Sequence, residues 1–427
     1  MPDLRALLVA LSLVFMATVL SARQNDADEN SAPRDDCSGD AATTAAGTGP
    51  LTFSEALARA RAGNLGLRAE EARRPVAMAA VAQANERLNP EIQWEAARDA
   101  PRQTVTLTLP IEAGGKRARR IAVAEADLRT TAAELSLSDV HLEIDVRRAY
   151  FSLAAAQAKA AATDAVVAIS RRAAAAASDR YKAGDVARLE LLQAQLEADR
   201  AAAARCTVDA EVASAAARLW DLLAGTDTGI PTAVDDPLSG PEVDGEESAT
   251  IAKRESRELQ VADLELAAGE SRVSLARASR TPDVAIFAGP TFDQPEYATG
   301  WKAGAAFTIP VFASGRANLE SATATLAQLR AEREAIAGHI GASVTAAAAR
   351  MNAARREADT LRTSVLPRSL EVQNLAEEAY RAGETDLAAM LQALGASREI
   401  QLQAIAAALA YQEARADLEL AMGAPLP

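Results

Sequence analysis

TVTLTLPIEAGGKRARRIAVAEADL, residues Thr104 to Leu128, changes its periodicity partway along, and the fold follows from that change. Val105, Leu107 and Leu109 alternate with Thr104, Thr106 and Thr108, the period-two pattern of a half-buried strand. Pro110 and the pair Gly114-Gly115 end the alternation. From Lys116 the chain is helical in character, with no proline until Pro231. The transition recurs in AAFTIPVFASGRANLESATATL, from Ala305 to Leu326, where Pro310 matches Pro110, Gly315 matches Gly115 and Arg316 matches Lys116. The chain is therefore an internal duplication. Its strand-to-helix junctions are Pro110, Gly114, Gly115 and Lys116 in one copy and Pro310, Gly315 and Arg316 in the other.

Each copy spans roughly 190 to 200 residues of repeating plan, so the 427 residues are two units of one kind rather than several unrelated domains. Hydrophobic residues make up 49% and aromatic ones only 4%, which leaves alanine carrying the apolar count. Alanine favours helix and lets backbones approach, so the composition suits packed helices. A net charge of −14 argues against nucleic acid, whose phosphates need a basic face, and is compatible both with a conduit for cations and with an ordinary soluble acidic protein. Arg5 precedes an apolar run from Ala6 to Leu20, and Ser21-Ala22 offers a cleavage point, so residues 1–22 are expected to be an export signal. No other stretch is long and apolar enough for a transmembrane helix, so a membrane-crossing form of this chain must cross with strands. Cys37 and Cys206 are an even pair that an oxidising compartment allows to bond, but no spacing rule places them within reach, and both the bonded and the free form stay open.

Residues 23–50 lack periodicity and read as a flexible lead. The first repeat covers 51–225. Thr52-Phe53-Ser54-Glu55 is a capping box opening a helix to Arg61, Gly63-Asn64 interrupts it, and a second helix runs from Leu65 to about Arg87 with Pro75 at a kink or frayed start. A β-hairpin follows over 89–110, with strands at Glu91 to Ala97 and Gln103 to Pro110. From Lys116 to Lys182 there is neither Pro nor Gly, a rod of about 100 Å at the helical rise per residue. Gly184-Asp185 turns it into a return helix, so the long helical hairpin covers 116–223. Residues 226–247 form a Pro- and Gly-rich linker. The second repeat, 248–423, has one helix from about Ala249 to Arg280, a β-hairpin over 282–310 and a long helical hairpin over 316–421. Pro367 lies inside that hairpin and is expected to bend it. The expected fold class is thus mainly α with a small β part, built of duplicated long α-hairpins with four strands.

The two hairpin turns read Tyr181-Lys182-Ala183-Gly184-Asp185 and Tyr380-Arg381-Ala382-Gly383-Glu384, and Leu192-Gln193 and Leu391-Gln392 follow at equal distance. Glycine at each helix end fits a left-handed C-cap. With these paired turns and paired junctions, the chain from Leu51 to Gly423 resembles the TolC-type outer-membrane efflux factors. The junction Pro110-Ile111-Glu112-Ala113-Gly114-Gly115-Lys116-Arg117 is most similar to the cobalt–zinc–cadmium heavy-metal branch, which typically has Leu where this chain has Ala113. The resemblance implies a homotrimer whose subunits each give four strands to a shared outer-membrane β-barrel and continue into the periplasm as a trimeric helical tunnel. It implies as partners a periplasmic adaptor (membrane fusion protein), an inner-membrane RND transporter and outer-membrane lipid, in a Gram-negative bacterium. Four strands cannot close alone, and an open sheet edge is not tolerated in lipid, so oligomerisation is required in any case.

In that family the hairpin turns form the periplasmic tip. Carried over by position, the adaptor-contacting residues are Gly184, Asp185, Val186, Gly383, Glu384 and Thr385, and Tyr380 and Glu190 match a tyrosine and an acid that hold the gate shut. The basic partner of that network falls at Thr385, and the acidic ring that selects cations falls at Ala389 and Gln392, so both are absent. Glu190, with Asp185 and Glu384, is then expected to supply the negative potential at the constriction. His141 and His339 stand at nearly matching positions but differ by one residue counted from the turns, about 100° around a helix, and lack partners at ligand spacing. Trp94 and Trp301 are expected as interfacial anchors in the strands. No Ser/His/Asp arrangement, metal-ligand cluster or phosphate loop is present, so no enzyme activity, metal site or cofactor is expected. A periplasmic coiled-coil scaffold is the competing class, for which long hairpins suffice but the duplicated strand pairs have no use. Within the channel class the sequence leaves the cargo open between metal cations, drugs and secreted polypeptides.

Overall fold

The computed structural model describes residues 49–99, 101–225, 229–240, 242–293, 300–308 and 312–426. The expected signal peptide, most of the lead, Cys37 and Pro310 lie outside the described residues. A short strand β1 (Pro50–Leu51) leads into α1 (Phe53–Gly63), which opens with the expected capping box, the Thr52 side chain accepting from Glu55 N and Glu55 accepting from Thr52 N. Asn64 then caps α2 (Leu65–Glu71), and α3 (Arg73–Asn85) follows with Pro75 in its first turn. Pro75 lacks an N–H, and at the start of a helix that group has no intrahelical partner to lose.

The β-hairpin consists of β2 (Glu91–Ala96) and β3 (Gln103–Ile111). Next come α4 (Lys116–Ala183), 68 residues without interruption, and its return helix α5 (Arg188–Leu222). The linker is less open than its composition predicts. Residues 232–233 form β4 (Thr232–Ala233), which pairs in parallel with β1. Asp235 accepts from Phe53 N at 2.6 Å and lies 2.7 Å from Tyr150 Oη, so the linker is stitched onto the first repeat.

The second repeat departs from its expected form in two places. The single helix expected over Ala249 to Arg280 is two, α6 (Gly245–Glu255) and α7 (Arg257–Ala278), broken at Ser256. Ser256 has φ −57° and ψ 122°, against −56° and 122° at Asn64, and each side chain accepts from the N–H three residues on. The two copies therefore share a capped break, filled by asparagine in one and serine in the other. After β5 (Val284–Phe292) and β6 (Gly300–Phe307), the long helix is divided into α8 (Arg316–Thr360), a five-residue π-helical turn (Leu361–Val365) and α9 (Leu366–Ala382). The expected disturbance at Pro367 takes this form: widening the preceding turn makes room for the ring and for the missing N–H. Helix α10 (Leu387–Met422) completes the chain.

Toward the tip, α4 lies between α5 and α10, and α10 lies against α9. Toward the sheet, α4 instead packs on α3 and α7, and α8 packs on α7. The core is a chain of clusters along these helices, one around Tyr150, Leu153, Leu219 and Trp220 and another around Val344, Met351, Tyr411 and Leu418. Where the repeats meet, Arg147 of α4 is buried against Glu419 of α10 with Nε 2.9 Å from Oε2. Arg415 Nε stands 3.3 Å from the other carboxylate oxygen of Glu419.

The four long strands form one antiparallel sheet in the order β2-β3-β5-β6. Its burial is the reverse of a soluble sheet. Along β3 the threonines are covered, Thr104 at 6% and Thr106 at 7% exposure, whereas Leu107 and Leu109 are 50% and 49% exposed. The strand is half-buried as its alternation predicts, but the covered half is polar. The register carries this across the sheet: Ile92 pairs Leu107, Trp94 pairs Val105, Leu109 pairs Ile286 and Val284 pairs Phe307, all on the uncovered face. Glu91, Gln93, Glu95 and Lys302 point to the other side. Apolar outside and polar inside is the pattern of a strand wall between lipid and water.

Candidate functional site

Each hairpin turn is made by a glycine at positive φ, Gly184 at 84° and Gly383 at 77°, a conformation that costs other residues. Asp185 N donates to Arg180 O at 2.9 Å and Glu384 N to Ala379 O at 2.9 Å, the six-to-one bond of a Schellman cap in both copies. The chain then reverses through exposed backbone. Gly184, Asp185, Gly383 and Glu384 are exposed, and Val186 and Thr385 are partly covered. In the second copy Asp386 caps α10 by accepting from Ala389 N at 2.9 Å, whereas Ala187 gives α5 no side-chain cap.

The duplicated tyrosines diverge. Tyr181 is 41% exposed and Tyr380 only 2%, the latter packed among Ala177, Ala194, Met390 and Leu394. Tyr380 Oη donates to Glu190 Oε1 at 3.2 Å, so the two residues expected to act together are joined across the two hairpins. Arg180 adds the cation. Its Nη1 is 3.5 Å from the same Glu190 oxygen, and its guanidinium carbon lies 5.4 Å from the centre of the Tyr380 ring. Burial raises the Tyr380 phenol above its ordinary value, the Glu190 charge and hydrogen bond add to that, and Arg180 partly offsets it. A second link, Arg172 to Glu377 at 3.0 Å, ties α4 to α9 just above.

Arg180 is the residue that sequence reasoning missed. The family position of the basic partner falls at Thr385, whose hydroxyl is buried without a hydrogen-bond partner among the described residues. The signal lay in the differences between copies. Arg180 and Glu190 of the first turn align with Ala379 and Ala389 of the second, so only one copy carries the charges and only the other uses its tyrosine.

At the junctions, Gly114, Gly115 and Gly315 all have φ 69°. A side chain at Gly114 would meet Thr281 Cβ at 2.8 Å. Lys116 Nζ lies 2.7 Å from Asp283 Oδ2, and Ala113 N donates to Asp283 Oδ1 at 3.0 Å. This pins the start of α4 to the beginning of β5. Pro110 is the penultimate residue of β3, and Arg316 begins α8 in an exposed position. His141 and His339 are both exposed, and among the described residues no three His, Cys, Asp or Glu gather as a metal site. No helix among the described residues is long and apolar enough to cross a membrane.

Comparison with known proteins agrees with the duplicated plan. The model of the outer membrane efflux protein family matches residues 56–225 and again 250–424. The cobalt-zinc-cadmium resistance protein CzcC of Cupriavidus metallidurans is 26% identical over 339 residues, 79% of this chain and 81% of that protein. The nickel-cobalt-cadmium resistance protein NccC of Alcaligenes xylosoxydans xylosoxydans is 28% identical over 235 residues, 55% of this chain and 53% of that one. Among solved structures, CusC superposes with a TM-score of 0.73 at 17% identity, covering 90% of this chain and 96% of that chain. The CmeC outer membrane channel of Campylobacter jejuni gives 0.73 at 15% identity, covering 87% and 85%.

Proposed function

The chain belongs to the outer membrane efflux protein family, and from that premise we propose that it is the exit duct of a tripartite pump expelling heavy-metal cations such as cobalt, zinc and cadmium. The observation that carries the reading is the sheet, which turns Ile92, Trp94, Leu107, Leu109 and Trp301 outward and its threonines inward. Its edge strands β2 and β6 have unmet backbone groups, so in lipid the sheet closes only with other copies, and three copies give a barrel of familiar size. The long hairpins continue this barrel as a helical tunnel into the periplasm. Passage is passive: the energy comes from an inner-membrane transporter of the RND type, reached through a periplasmic adaptor.

The tip is the adaptor-contacting end, with Gly184, Asp185, Val186, Gly383, Glu384 and Thr385 offering exposed or half-covered turns. Tyr380 and Glu190 are the gate. Their bond, supported by Arg180, holds the α9–α10 hairpin against the α4–α5 hairpin, and adaptor binding releases it. Glu190, Asp185 and Glu384 supply the negative charge that favours a cation there. The metal cargo rests on the two relatives, whose names refer to cobalt, zinc, cadmium and nickel resistance.

The test is deletion and complementation in the native host. Loss of the gene should sensitise cells to cobalt, zinc or cadmium and leave tolerance of lipophilic drugs unchanged. Drug sensitivity without metal sensitivity would overturn the cargo assignment and favour a multidrug duct.

A further inference from the structure

The segments joining sheet to helices carry a charge balance opposite to that of the chain. Residues 86–89, 111–120, 277–283 and 312–316 hold eight Lys and Arg against three Glu and Asp, in a chain of net charge −14. Lys116 and Arg120 are matched by Asp283 and Glu112. The other six, Arg87, Arg117, Arg119, Arg277, Arg280 and Arg316, have no carboxylate partner among the described residues; Arg117 donates to Asn85 and Arg119 to Ser274. All but Arg117 are exposed. The same segments expose Leu88 and Phe312, and Ile111 and Phe307 at the ends of the apolar sheet face are exposed as well.

Exposed arginines at the end of an apolar wall that also exposes aromatics are the arrangement that places aliphatic stems in hydrocarbon and guanidinium groups among phosphates. Because the long helices extend into the periplasm, this arginine rim lies at the periplasmic leaflet. We propose that it binds the headgroups of anionic glycerophospholipids in that leaflet, fixing the depth of the barrel and holding the tunnel upright. Guanidinium groups pair phosphate oxygens through two parallel N–H donors, and a negative leaflet draws in each basic residue at its surface. The inference rests on the reading that the sheet lies in the membrane.

The test reconstitutes the full chain into phosphatidylcholine vesicles with and without phosphatidylglycerol, and counts lipid retained on the extracted oligomer by native mass spectrometry. Wild type should retain phosphatidylglycerol over phosphatidylcholine. Arg119→Gln with Arg277→Gln and Arg280→Gln should weaken that retention by on the order of 100-fold, and Arg280→Gln alone by about 5-fold. The matching Lys triple, which keeps the charge, should retain most of it. A control triple at the far tip, Lys182→Gln with Arg188→Gln and Arg200→Gln, should behave as wild type. Equal retention of both lipids by wild type, or no loss in the Gln triple and the single variant, would overturn the proposal. Displacement of the lipid by inorganic phosphate at equal concentration would overturn it too, because the site would then serve free phosphate. Insertion into pure phosphatidylcholine is scored separately: failure of every form to insert there would strike the membrane reading itself and not the rim.

Discussion

Truncating Glu419 should cost the protein about 3 kcal/mol. Its side chain is 1% exposed, and Arg147, its partner from the other repeat, is 6% exposed. Burial presses the Arg147 guanidinium below its ordinary value, and the Glu419 charge opposes that pressure. With Glu419→Ala the guanidinium keeps, among the described residues, Glu143 at 3.8 Å and the face of Phe53 at 4.5 Å. Breaking one half of a buried pair typically costs about 3–5 kcal/mol, and the residual Glu143 contact points to the lower end. Replacing both partners, Arg147→Met with Glu419→Leu, removes the orphan charge and should restore most of the loss. The assay is urea denaturation of the detergent-solubilised protein followed by helical circular dichroism, at fixed protein concentration because oligomerisation shifts the midpoint. A Glu419→Ala midpoint within about 1 kcal/mol of wild type, or a double variant no better than the single, would refute the argument that this ion pair is a buried hinge-pin between the repeats.

In planar-bilayer recordings Glu190→Gln should lose cation preference and open more readily, and unchanged behaviour removes Glu190 from the proposed gate. Tyr380→Phe deletes a bond to a charged group worth about 1.5–3 kcal/mol and should raise open probability by roughly 10- to 100-fold, with little effect on permeant preference. The gate should also loosen in alkali. The Tyr380 phenol is raised in the closed state, so its contribution is complete below the ordinary tyrosine value of about 10 and is lost as pH climbs through the raised one. Conductance that rises on that limb in wild type but not in Tyr380→Phe is the expected result. Gly289→Ala places a Cβ 1.7 Å from Val105 O on the neighbouring strand, so β3 and β5 must part, and heat-resistant oligomers on gels should disappear.

Much of this architecture was legible because the chain states it twice. The proline and glycine of the strand-to-helix junction and the tyrosine and glycine of the tip turn each recur in the same order, and a coincidence of that kind has few alternatives. The capped break at Ser256 was not legible alone, since serine is unremarkable within a helix; only its alignment with Asn64 reveals it. Pairing of β1 with β4 joins residues far apart in sequence through two short contacts, which leave no periodicity. The π turn is a compromise between Pro367 and the packing around it, and a proline by itself does not say how the strain will be absorbed. At the tip the Tyr380–Glu190 pair followed from position. Arg180 did not, because it reaches the same carboxylate from the end of α4, whereas the expected cation position falls in the turn between α9 and α10. The facing of the sheet is instructive in another way: alternation gives two sides, and only the solvent decides which is outermost.

The charges on the two outer strands have a consequence before any pore exists. A newly exported subunit carries bare backbone along β2 and β6, an invitation to pair with whatever extended chain it meets. Glu91 and Glu95 on one border and Lys302 on the other stand where a stray apolar strand would have to bury them, whereas the proposed assembly with sister subunits leaves them in water. The same side chains that wet the inside of the proposed finished barrel therefore chaperone the unfinished one, rejecting every suitor except its own kind.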